Sequence, residues 1–403
     1  MKPIYMDHHA TTPLLPEVLE AMMPYLTEEF GNPSSTTHVY GTAARTAVEK
    51  AREQVAALVG AASPEEIIFT SGATESDNLA LKGVAHQLAG KGRRIITIAT
   101  EHKAVLDTAK KLQKEGFEII FAPIDEHGVV NLDALRELMD DTTILVSIQY
   151  ANSEIGTLQP IAAIGELAKE RGILFHSDAV QALARVPVDV QKEHIDLLSI
   201  SGHKIYGPKG VGALYIRKGV KLVAQMDGGG HERGYRSGTL NVPGIMGLGK
   251  AAEIGKRDLD KEAPRLIELR ERLRKGIEAS VDYVKLNGHP TQRLPNNLNY
   301  SFAFVEGESL ILSLKEFALS TGSACTSASL QSSYVLRAIG VPESLAHCSL
   351  RFGLGRSNTA EHVDLLVERL KSSVVKLREM SPLYEMAKEG VDIESISWTP
   401  HRH

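Results

Sequence analysis

Residues 173–181 read Ile-Leu-Phe-His-Ser-Asp-Ala-Val-Gln, and residues 197–204 read Leu-Leu-Ser-Ile-Ser-Gly-His-Lys. Each stretch begins as a short apolar run and ends in small or polar residues. A short, nearly continuous apolar run is typical of a strand that is covered on both faces, as strands of parallel sheets are. Four further runs of this kind precede them, at residues 66–70, 94–99, 117–122 and 143–148.

Helical patterns lie between these predicted strands. Residues 48–59 place apolar side chains three or four positions apart, and residues 161–171 form a second amphipathic stretch that ends at Gly172. Glycine directly after such a stretch is a common helix stop. The alternation of strands and helices predicts an α/β fold with a mainly parallel sheet between layers of helices.

The pattern changes near residue 256, where a smaller α+β domain is predicted. A charged helix carries leucines on one face, with Pro264 near its start. Residues 298–304 alternate between apolar and polar side chains, as in a half-buried strand. Asn358 and Glu361 are a plausible cap pair for a last helix with an apolar stripe between residues 363 and 374.

The composition excludes several classes of protein. The chain has 403 residues, of which 43% are hydrophobic and 24% charged, and a formal charge of −5. These values are typical of a globular protein and argue against phosphate-driven nucleic-acid binding. No apolar run is long enough for a membrane helix, and the N-terminus has no targeting pattern. The two cysteines, Cys325 and Cys348, cannot form a disulfide framework, so we expect a cytoplasmic protein.

Motif searches exclude several common catalytic chemistries. Gly202 and Gly207 have P-loop spacing, but Pro208 occupies the lysine position, and neither a GxSxG elbow nor an HExxH motif occurs. The pair His8-His9 and the tail at residues 401–403 could bind a metal, but solvated chain ends are the better interpretation.

Three segments that follow predicted strands carry candidate site residues. The turn at residues 71–78 opens a helix whose first N–H groups suit a phosphate, although an ordinary capped turn has the same pattern. Asp178 either faces a ligand at the carboxyl end of a strand or caps the next helix. Lys204, at the end of an apolar strand, is a candidate imine-forming nucleophile, whereas we expect Lys209 to point into solvent.

The two cysteines stand in different surroundings. Residues 320–329 are ten small residues around Cys325, a composition that predicts a mobile segment. A buried, inert cysteine is the commoner case, but nothing in this segment offers a core in which to bury the thiol. Cys348 stands beside an apolar strand, which favours the inert interpretation for this residue.

Five motifs in this order resemble those of the pyridoxal-phosphate-dependent cysteine desulfurases of the iron–sulfur-cluster-assembly type. They lie at residues 70–78, 101–105, 176–181, 201–204 and 321–325, and residues 228–234 and 236–239 also match. The resemblance runs from Tyr5 to about Trp398. It implies a fold-type-I, aminotransferase-like homodimer. The large domain (residues 14–257) would contain a mainly parallel seven-stranded sheet, and the small domain (residues 1–13 and 258–403) a mobile cysteine loop at about 320–333.

The resemblance also implies a role for each matching residue. Lys204 would hold the cofactor as an imine, Asp178 would pair with its ring nitrogen, His102 would lie over the ring and Gln181 would contact the phenolic oxygen. Ala73, Thr74, Ser201 and His203 would surround the phosphate, with Thr239 reaching in from the neighbouring subunit. Asn152 and Arg351 would hold the substrate carboxylate, a task that a guanidinium suits physically. Arg356 is the weaker candidate.

The implied reaction converts L-cysteine to L-alanine and leaves sulfur on Cys325 as a persulfide. Lys204 and His102 would move protons, and Cys325 would attack the substrate sulfur as a thiolate. The sulfur would then pass to an iron–sulfur scaffold protein that docks near the C-terminal region, and to other acceptors such as those of tRNA thiolation. No resident metal is implied, although Cys325 would ligate a cluster transiently during transfer.

Two other functions remain open on the sequence. One is a different fold-type-I reaction, such as selenocysteine cleavage or transamination. The other is a non-catalytic scaffold that keeps the fold for partner docking, although the presence of Lys204, Asp178, His102 and Cys325 argues against a degenerate site.

Overall fold

The computed structural model describes residues 2–321 and 332–389. Within these residues, seven strands form the central sheet. Six of them correspond to the predicted strands, and the seventh was not predicted. Their bounds are β2 (Ile67–Thr70), β3 (Arg94–Thr97), β4 (Glu118–Phe121), β5 (Thr143–Ser147), β6 (Leu174–Asp178), β7 (Leu197–Ser201) and β8 (Gly212–Ile216).

The sheet has the order β2-β8-β7-β6-β5-β3-β4, and β8 alone runs antiparallel to its neighbours. The prediction of a mainly parallel sheet is therefore confirmed. The strand that the sequence analysis missed, β8, follows β7 after a short turn and fills the space between β7 and β2. Because the other six strands are parallel, their carboxyl ends meet at one edge of the sheet, where α/β proteins bind ligands.

Helices cover both faces of this sheet. They are α1 (Pro16–Thr27), α2 (Val39–Val59), α3 (Ala73–Leu88), α4 (Lys103–Lys114), α5 (Leu132–Leu138) and α6 (Ile161–Arg171). Successive residues of β2 enter different cores: Ile67 and Phe69 pack with the α2 side, and Ile68 packs with α3 and α4. The predicted stop at Gly172 is confirmed, since this residue ends α6 with φ +62°, a conformation that glycine adopts without steric cost.

A single 39-residue helix, α7 (Val242–Ser280), connects the two parts of the chain. The prediction that a helix starts near Pro264 was wrong, because this proline lies inside α7. Pro264 is exposed, so the carbonyl that loses its hydrogen bond can face water. The apolar residues of the second half of α7, such as Leu266 and Leu273, belong to a second core that is separate from the cores of the large sheet.

This second core is built on a three-stranded antiparallel sheet, β12-β10-β9. The remaining elements are β9 (Val284–Leu286), β10 (Asn297–Phe302), α8 (Gly307–Ser313), β11 (Phe317–Ala318), α9 (Tyr334–Ala338), α10 (Glu343–Ala346), β12 (Ser349–Gly353), α11 (Ala360–Glu379) and α12 (Pro382–Lys388). Three short 3₁₀ helices span Pro64–Glu66, Gly202–Lys204 and Glu232–Gly234.

Two local predictions in this part of the chain were wrong. The strand predicted to reach Phe304 ends at Phe302, because Phe304 has a positive φ, and all six residues of β10 are buried rather than half-buried. The cap of α11 is Thr359, whose hydroxyl accepts the N–H of His362; Asn358 instead binds the Gly355 N–H and the Tyr5 carbonyl.

The N-terminal residues contact both parts of the chain: they pair with the second part, and they accept hydrogen bonds from residues that follow the strands of the large sheet. Strand β1 (Ile4–Tyr5) pairs with β11, and Asp7 bridges to Gly353. The interpretation of His8 and His9 as a solvated chain end was wrong, since each is only 2% exposed. The division into residues 14–257 and residues 1–13 with 258–403 stays a prediction, which the separate cores support.

Candidate active site

Five predicted site residues and the start of one helix lie where the parallel strands end. Asp178 is the last residue of β6, Ser201 is the last residue of β7, and Lys204 ends the 3₁₀ turn that follows. Helix α3 starts after β2, His102 precedes α4 after β3, and Asn152 follows β5. The parallel topology thus brings together residues that are up to about 130 positions apart in the sequence.

Asp178 is a buried carboxylate with a carboxylic neighbour. Its Oδ1 accepts the N–H of Val180 at 2.9 Å, and the helix-cap alternative does not apply because no helix follows β6 directly. Burial raises the pKa of Asp178, while His102 and Lys204 oppose this rise. Burial and repulsion from Asp178 raise the pKa of Asp77 well above its usual value. Because Lys204 favours the charge on Asp178, this residue is the member of the pair that is suited to a cationic partner.

Behind this pair lies a neutral histidine. His176 bonds Ser147 Oγ at 2.8 Å and Ser199 Oγ at 3.0 Å, and its Nε2 is 3.6 Å from Asp77 Oδ1. Burial lowers the pKa of His176 to about 3, so the ring stays uncharged at neutral pH. The sequence analysis did not single out Asp77 or His176, although both belong to quoted motifs.

The amine of Lys204 reaches the N-terminal segment. Its Nζ donates to the carbonyl oxygens of His9 and of Ala10, the latter at 2.8 Å. The side chain is partly buried, whereas Lys209 is exposed, as expected. An amine in a partly dry site whose hydrogen bonds include neutral carbonyls suits a nucleophile.

The start of α3 fits an anion. Within the described residues no side chain caps this helix, which begins after Gly72 with φ +151°. A Cβ on Gly72 would meet nothing within 4 Å, so the helix start faces open space, and Thr74 is exposed beside it. Free N–H groups at a helix N-terminus attract phosphate.

His203 and Thr239, two further predicted phosphate contacts, differ in their surroundings. His203 Nδ1 lies 3.1 Å from Thr11 Oγ1, and burial lowers its pKa to about 4, so it is a neutral ring. Thr239 is exposed. Its segment is held by Glu232, whose carboxylate binds Arg52 at 2.7 and 2.8 Å and accepts the N–H of Phe69 on β2. This buried ion pair joins the glycine-rich segment to the strand that leads into α3.

His102 caps α4 and has a defined proton position. Its Nδ1 accepts the N–H of Ala104 at 3.1 Å, so the neutral ring carries its proton on Nε2. The side chain is exposed at the mouth of the site. These features suit a group that exchanges protons with a substrate.

The guanidinium of Arg351 lies buried on β12 with an incomplete set of partners. Nη2 contacts Asp7 Oδ1 at 2.8 Å and Nη1 donates to the Ser153 carbonyl at 3.1 Å, while Nε has no partner in the described part of the chain. Asn152 Nδ2 donates to the Thr100 carbonyl. Arg356 instead pairs with Asp258. An unsatisfied buried N–H is costly, which makes the Nε edge of Arg351 a candidate carboxylate site.

Two residues near Arg351 were missed by the sequence analysis as site residues. Asp7 lies in none of the motifs named above, and no local pattern links it to a residue 344 positions away. Glu154 is buried, and burial raises its pKa to about 7 although Ser333 and Arg351 lower it. The sequence held no signal for this carboxyl group beyond its place next to Asn152.

The two cysteines separate in the way that was expected, as far as the structure describes them. Cys348 is buried before β12, its thiol donates to the Ser344 carbonyl at 3.0 Å, and burial raises its pKa. A raised pKa disfavours the reactive thiolate. Cys325 and most of the predicted loop at 320–333 lie outside the described residues, as do residues 390–403.

These residues fit pyridoxal phosphate. The uncapped helix start suits the phosphate, the buried carboxyl group of Asp178 suits a protonated ring nitrogen, and the Lys204 amine suits an aldehyde. The unpartnered Nε of Arg351 suits the carboxylate of an amino-acid substrate.

No helix in the described residues combines the length and apolar composition needed to cross a membrane.

Comparison with known proteins agrees with this fit. The aminotransferase class-V family matches residues 4–366. The protein named cysteine desulfurase IscS from Anaeromyxobacter dehalogenans is 57% identical over 402 residues, 99% of each chain. A solved NifS-like protein has a TM-score of 0.86 at 40% identity, covering 93% of this chain and 100% of its own. A structure titled SspA in complex with cysteine has a TM-score of 0.78 at 36% identity, covering 87% and 98%.

The predicted fold class, enzyme class and cofactor are confirmed by these matches. They extend over nearly the whole chain, and they include the parts that carry Lys204, Asp178 and Arg351. The chain belongs to the class-V aminotransferase family and, within it, to the pyridoxal-phosphate-dependent cysteine desulfurases.

Proposed function

We propose that this chain converts L-cysteine to L-alanine and holds the released sulfur as a persulfide on Cys325. One observation carries the proposal: Asp178, Lys204, the open start of α3 and the unpartnered edge of Arg351 all border one end of the sheet. Together these groups provide for every polar part of a pyridoxal-phosphate-bound amino acid.

The chain's own residues divide the tasks of binding. Lys204 would hold the cofactor covalently, Asp178 its ring nitrogen and Gln181 its phenolic oxygen. Ala73, Thr74, Ser201 and His203 would surround the phosphate. The cofactor, when bound, stabilises negative charge at the substrate Cα.

Arg351 and Asn152 would orient the substrate. The Nε–H of Arg351 offers a charged donor to the cysteine carboxylate, and Asp7 holds the guanidinium through Nη2. This leaves the substrate thiol on the side of the exposed His102, whose Nε2–H can exchange a proton with sulfur. Lys204, once its amine is released, can move the Cα proton.

The sulfur transfer balances without an external oxidant. The Cys325 thiolate attacks the substrate sulfur, so that an S–S bond forms while the C–S bond breaks. The electron pair of the C–S bond stays with carbon, which is protonated on the way to alanine. A thiol reductant then releases the outer sulfur as sulfide.

We also propose that the protein is a homodimer with shared sites. Helix α1, the loop that follows it and the start of α2 expose large apolar side chains, including Leu26 at 55%, Phe30 at 70% and Val39 at 73%. Apolar patches of this kind mark interaction surfaces. The exposed Thr239 is then available to the partner's phosphate site. A fully active monomer in light scattering under assay conditions would count against the shared site.

The C-terminal region is the proposed docking site for sulfur acceptors in the cytoplasm, an iron–sulfur scaffold protein and the proteins of tRNA thiolation among them. A surface cleft of ≈ 160 Å³ lies there, lined by Lys371, Arg378, Tyr384 and Lys388. The cleft also contains Asp282 and Glu379, but the three cationic side chains outnumber them, which favours a partner with acidic groups. Transient cluster ligation by Cys325 would take place in this complex.

The direct test is an assay of alanine and sulfide with cysteine as the substrate, with and without a reductant. Equal amounts of both products with reductant, and a single turnover of alanine without it, are expected. Amino-group transfer to a keto acid would favour a transaminase. A visible chromophore without any cysteine turnover would favour a non-catalytic scaffold.

A further inference from the structure

His9 is a buried side chain inside the proposed cofactor site that no step above uses. It is 2% exposed, and its carbonyl oxygen accepts hydrogen bonds from both the Lys204 amine and the Gln181 amide. The ring packs closely on β12, since a Cβ on Gly353 would lie 2.9 Å from its Cδ2 atom. The ring therefore has little freedom to move.

The hydrogen bonds around His9 define the proton positions. Gln181 Nε2 donates to the His9 carbonyl at 3.1 Å, and a carbonyl can only accept, so the amide orientation of Gln181 is fixed. Gln181 Oε1 then faces His9 Nδ1 at 2.8 Å, and Nδ1 must carry the hydrogen. Burial, together with Arg351, Arg185 and Lys204, lowers the pKa of His9 well below its usual value, so the ring is neutral.

This arrangement leaves one donor of Gln181 available. The first Nε2 hydrogen is bound by the His9 carbonyl, and within the described residues the second has no acceptor. If the amide were flipped, its oxygen would face the His9 carbonyl and repel it. The contacts with His9 thus fix Gln181 with a donor, and not an acceptor, available to the site.

We propose that His9 is a positioning residue that locks the Gln181 amide so that its free N–H points to the phenolic oxygen of the cofactor. The inference rests on the proposed contact between Gln181 and that oxygen. A hydrogen-bond donor at the phenolic oxygen disperses the negative charge of that oxygen. The neighbouring protonated nitrogen, which is the imine nitrogen from Lys204 and not the ring nitrogen, then gives up its proton more easily. Loss of the donor should raise the pH midpoint at which the bound chromophore titrates.

The test is a pH titration of the visible absorption spectrum of cofactor-loaded variants. In His9→Ala the midpoint should rise by about 0.7 pH unit, the effect of one ordinary hydrogen bond. His9→Asn places an amide donor near the Nδ1 position and should restore the wild-type midpoint. His8→Ala is the matched control, because His8 is equally buried but bonds the Gly353 carbonyl and not Gln181.

A double-mutant cycle tests whether the effect passes through Gln181. His9→Ala combined with Gln181→Ala should shift the midpoint no further than Gln181→Ala alone. A wild-type midpoint in His9→Ala, or shifts that add fully in the double variant, would overturn the proposal. No shift in Gln181→Ala would overturn the assignment of Gln181 as well, while leaving the cysteine assay of the proposed function unaffected.

A second measurement does not need His9→Ala to fold. Nitrogen-15 NMR of histidine-labelled holoenzyme, with the His9 signal assigned by its loss in His9→Asn, should show a protonated Nδ1 and a bare Nε2. Gln181→Ala should move the Nδ1 signal. A His9 ring protonated on Nε2 instead, or insensitive to Gln181→Ala, contradicts the inference.

Discussion

The ion pair between Asp7 and Arg351 should contribute strongly to stability, and Asp7→Asn tests it with little change of shape. The two side chains are 17% and 6% exposed, and their polar atoms lie 2.8 Å apart. Asp7→Asn removes the only carboxylate that directly contacts the buried guanidinium among the described residues. Breaking a buried pair costs about 3–5 kcal/mol, and the partial exposure of Asp7 argues for about 3 kcal/mol.

The matched control is Asp364→Asn on the protein surface. Asp364 and Arg272 are only 2.6 Å apart, but both side chains are at least half exposed. If burial decides the magnitude, this closer pair should contribute much less to stability than the buried pair does, because solvent screens it. Urea unfolding of both cofactor-loaded variants at pH 8 measures the difference. Equal losses of stability in the two variants would refute the argument.

The substrate provides a second readout of the same pair. In Asp7→Asn the Arg351 cation lacks its counter-charge, so a bound carboxylate should restore more stability than it adds to the wild type. The midpoint shift on adding L-alanine, the unreactive product, should therefore be larger in the variant than in the wild type. A smaller shift would mean that Asp7 orients Arg351 more than it neutralises it.

Other predictions concern buried charges and the two lysines. Burial raises the pKa of Glu154 from 4.5 to about 7, so the free energy of unfolding falls as pH rises between these two values. In urea unfolding, Glu154→Gln should therefore be more stable than the wild type at pH 8, by up to about 3 kcal/mol, and equally stable at pH 4. Glu232→Gln should lower the free energy of unfolding by about 3–5 kcal/mol, because the buried Arg52 keeps only the half-exposed Glu49 as a carboxylate partner. A loss under about 1 kcal/mol would contradict the view that this ion pair holds the glycine-rich segment. Lys204→Ala should remove the visible chromophore and Lys209→Ala should keep it; recovery of the cofactor on Lys209 after reduction and digestion would refute the assignment.

Local sequence patterns sufficed for the elements that position the site. The strands before Asp178 and Lys204 are short apolar runs because both of their faces are covered, and this property is visible in the sequence. Gly172 ends α6 because glycine adopts positive φ without steric cost, which is again a local property. Together with the motif order, these features were enough to predict the fold class and the main cofactor contacts.

What could not be predicted depends on contacts between distant parts of the chain. His8 and His9 were predicted to lie at a solvated end, and Asp7 was not predicted as a site residue, because no local pattern reveals that the N-terminal segment packs between β12 and the site. We did not predict that α7 continues through Pro264, because a proline inside a helix usually breaks or kinks it. Here Pro264 lies on an exposed face, where the carbonyl that loses its hydrogen bond can bind water. Strand β8 was not predicted because it begins with Gly212 and Ala213, two residue types that are uncommon in strands, and it is stabilised by pairing with β2 and β7.

The central claim is that sulfur from cysteine is held on Cys325. Mass spectrometry of the protein after brief exposure to cysteine without reductant tests it most directly. The account predicts an added mass of about 32 Da, one sulfur atom, on the peptide that contains Cys325, and its absence in Cys325→Ser together with the loss of turnover. Cys348, which is buried with a raised pKa, should carry no sulfur. The added sulfur on Cys348, or undiminished turnover in Cys325→Ser, would contradict the account.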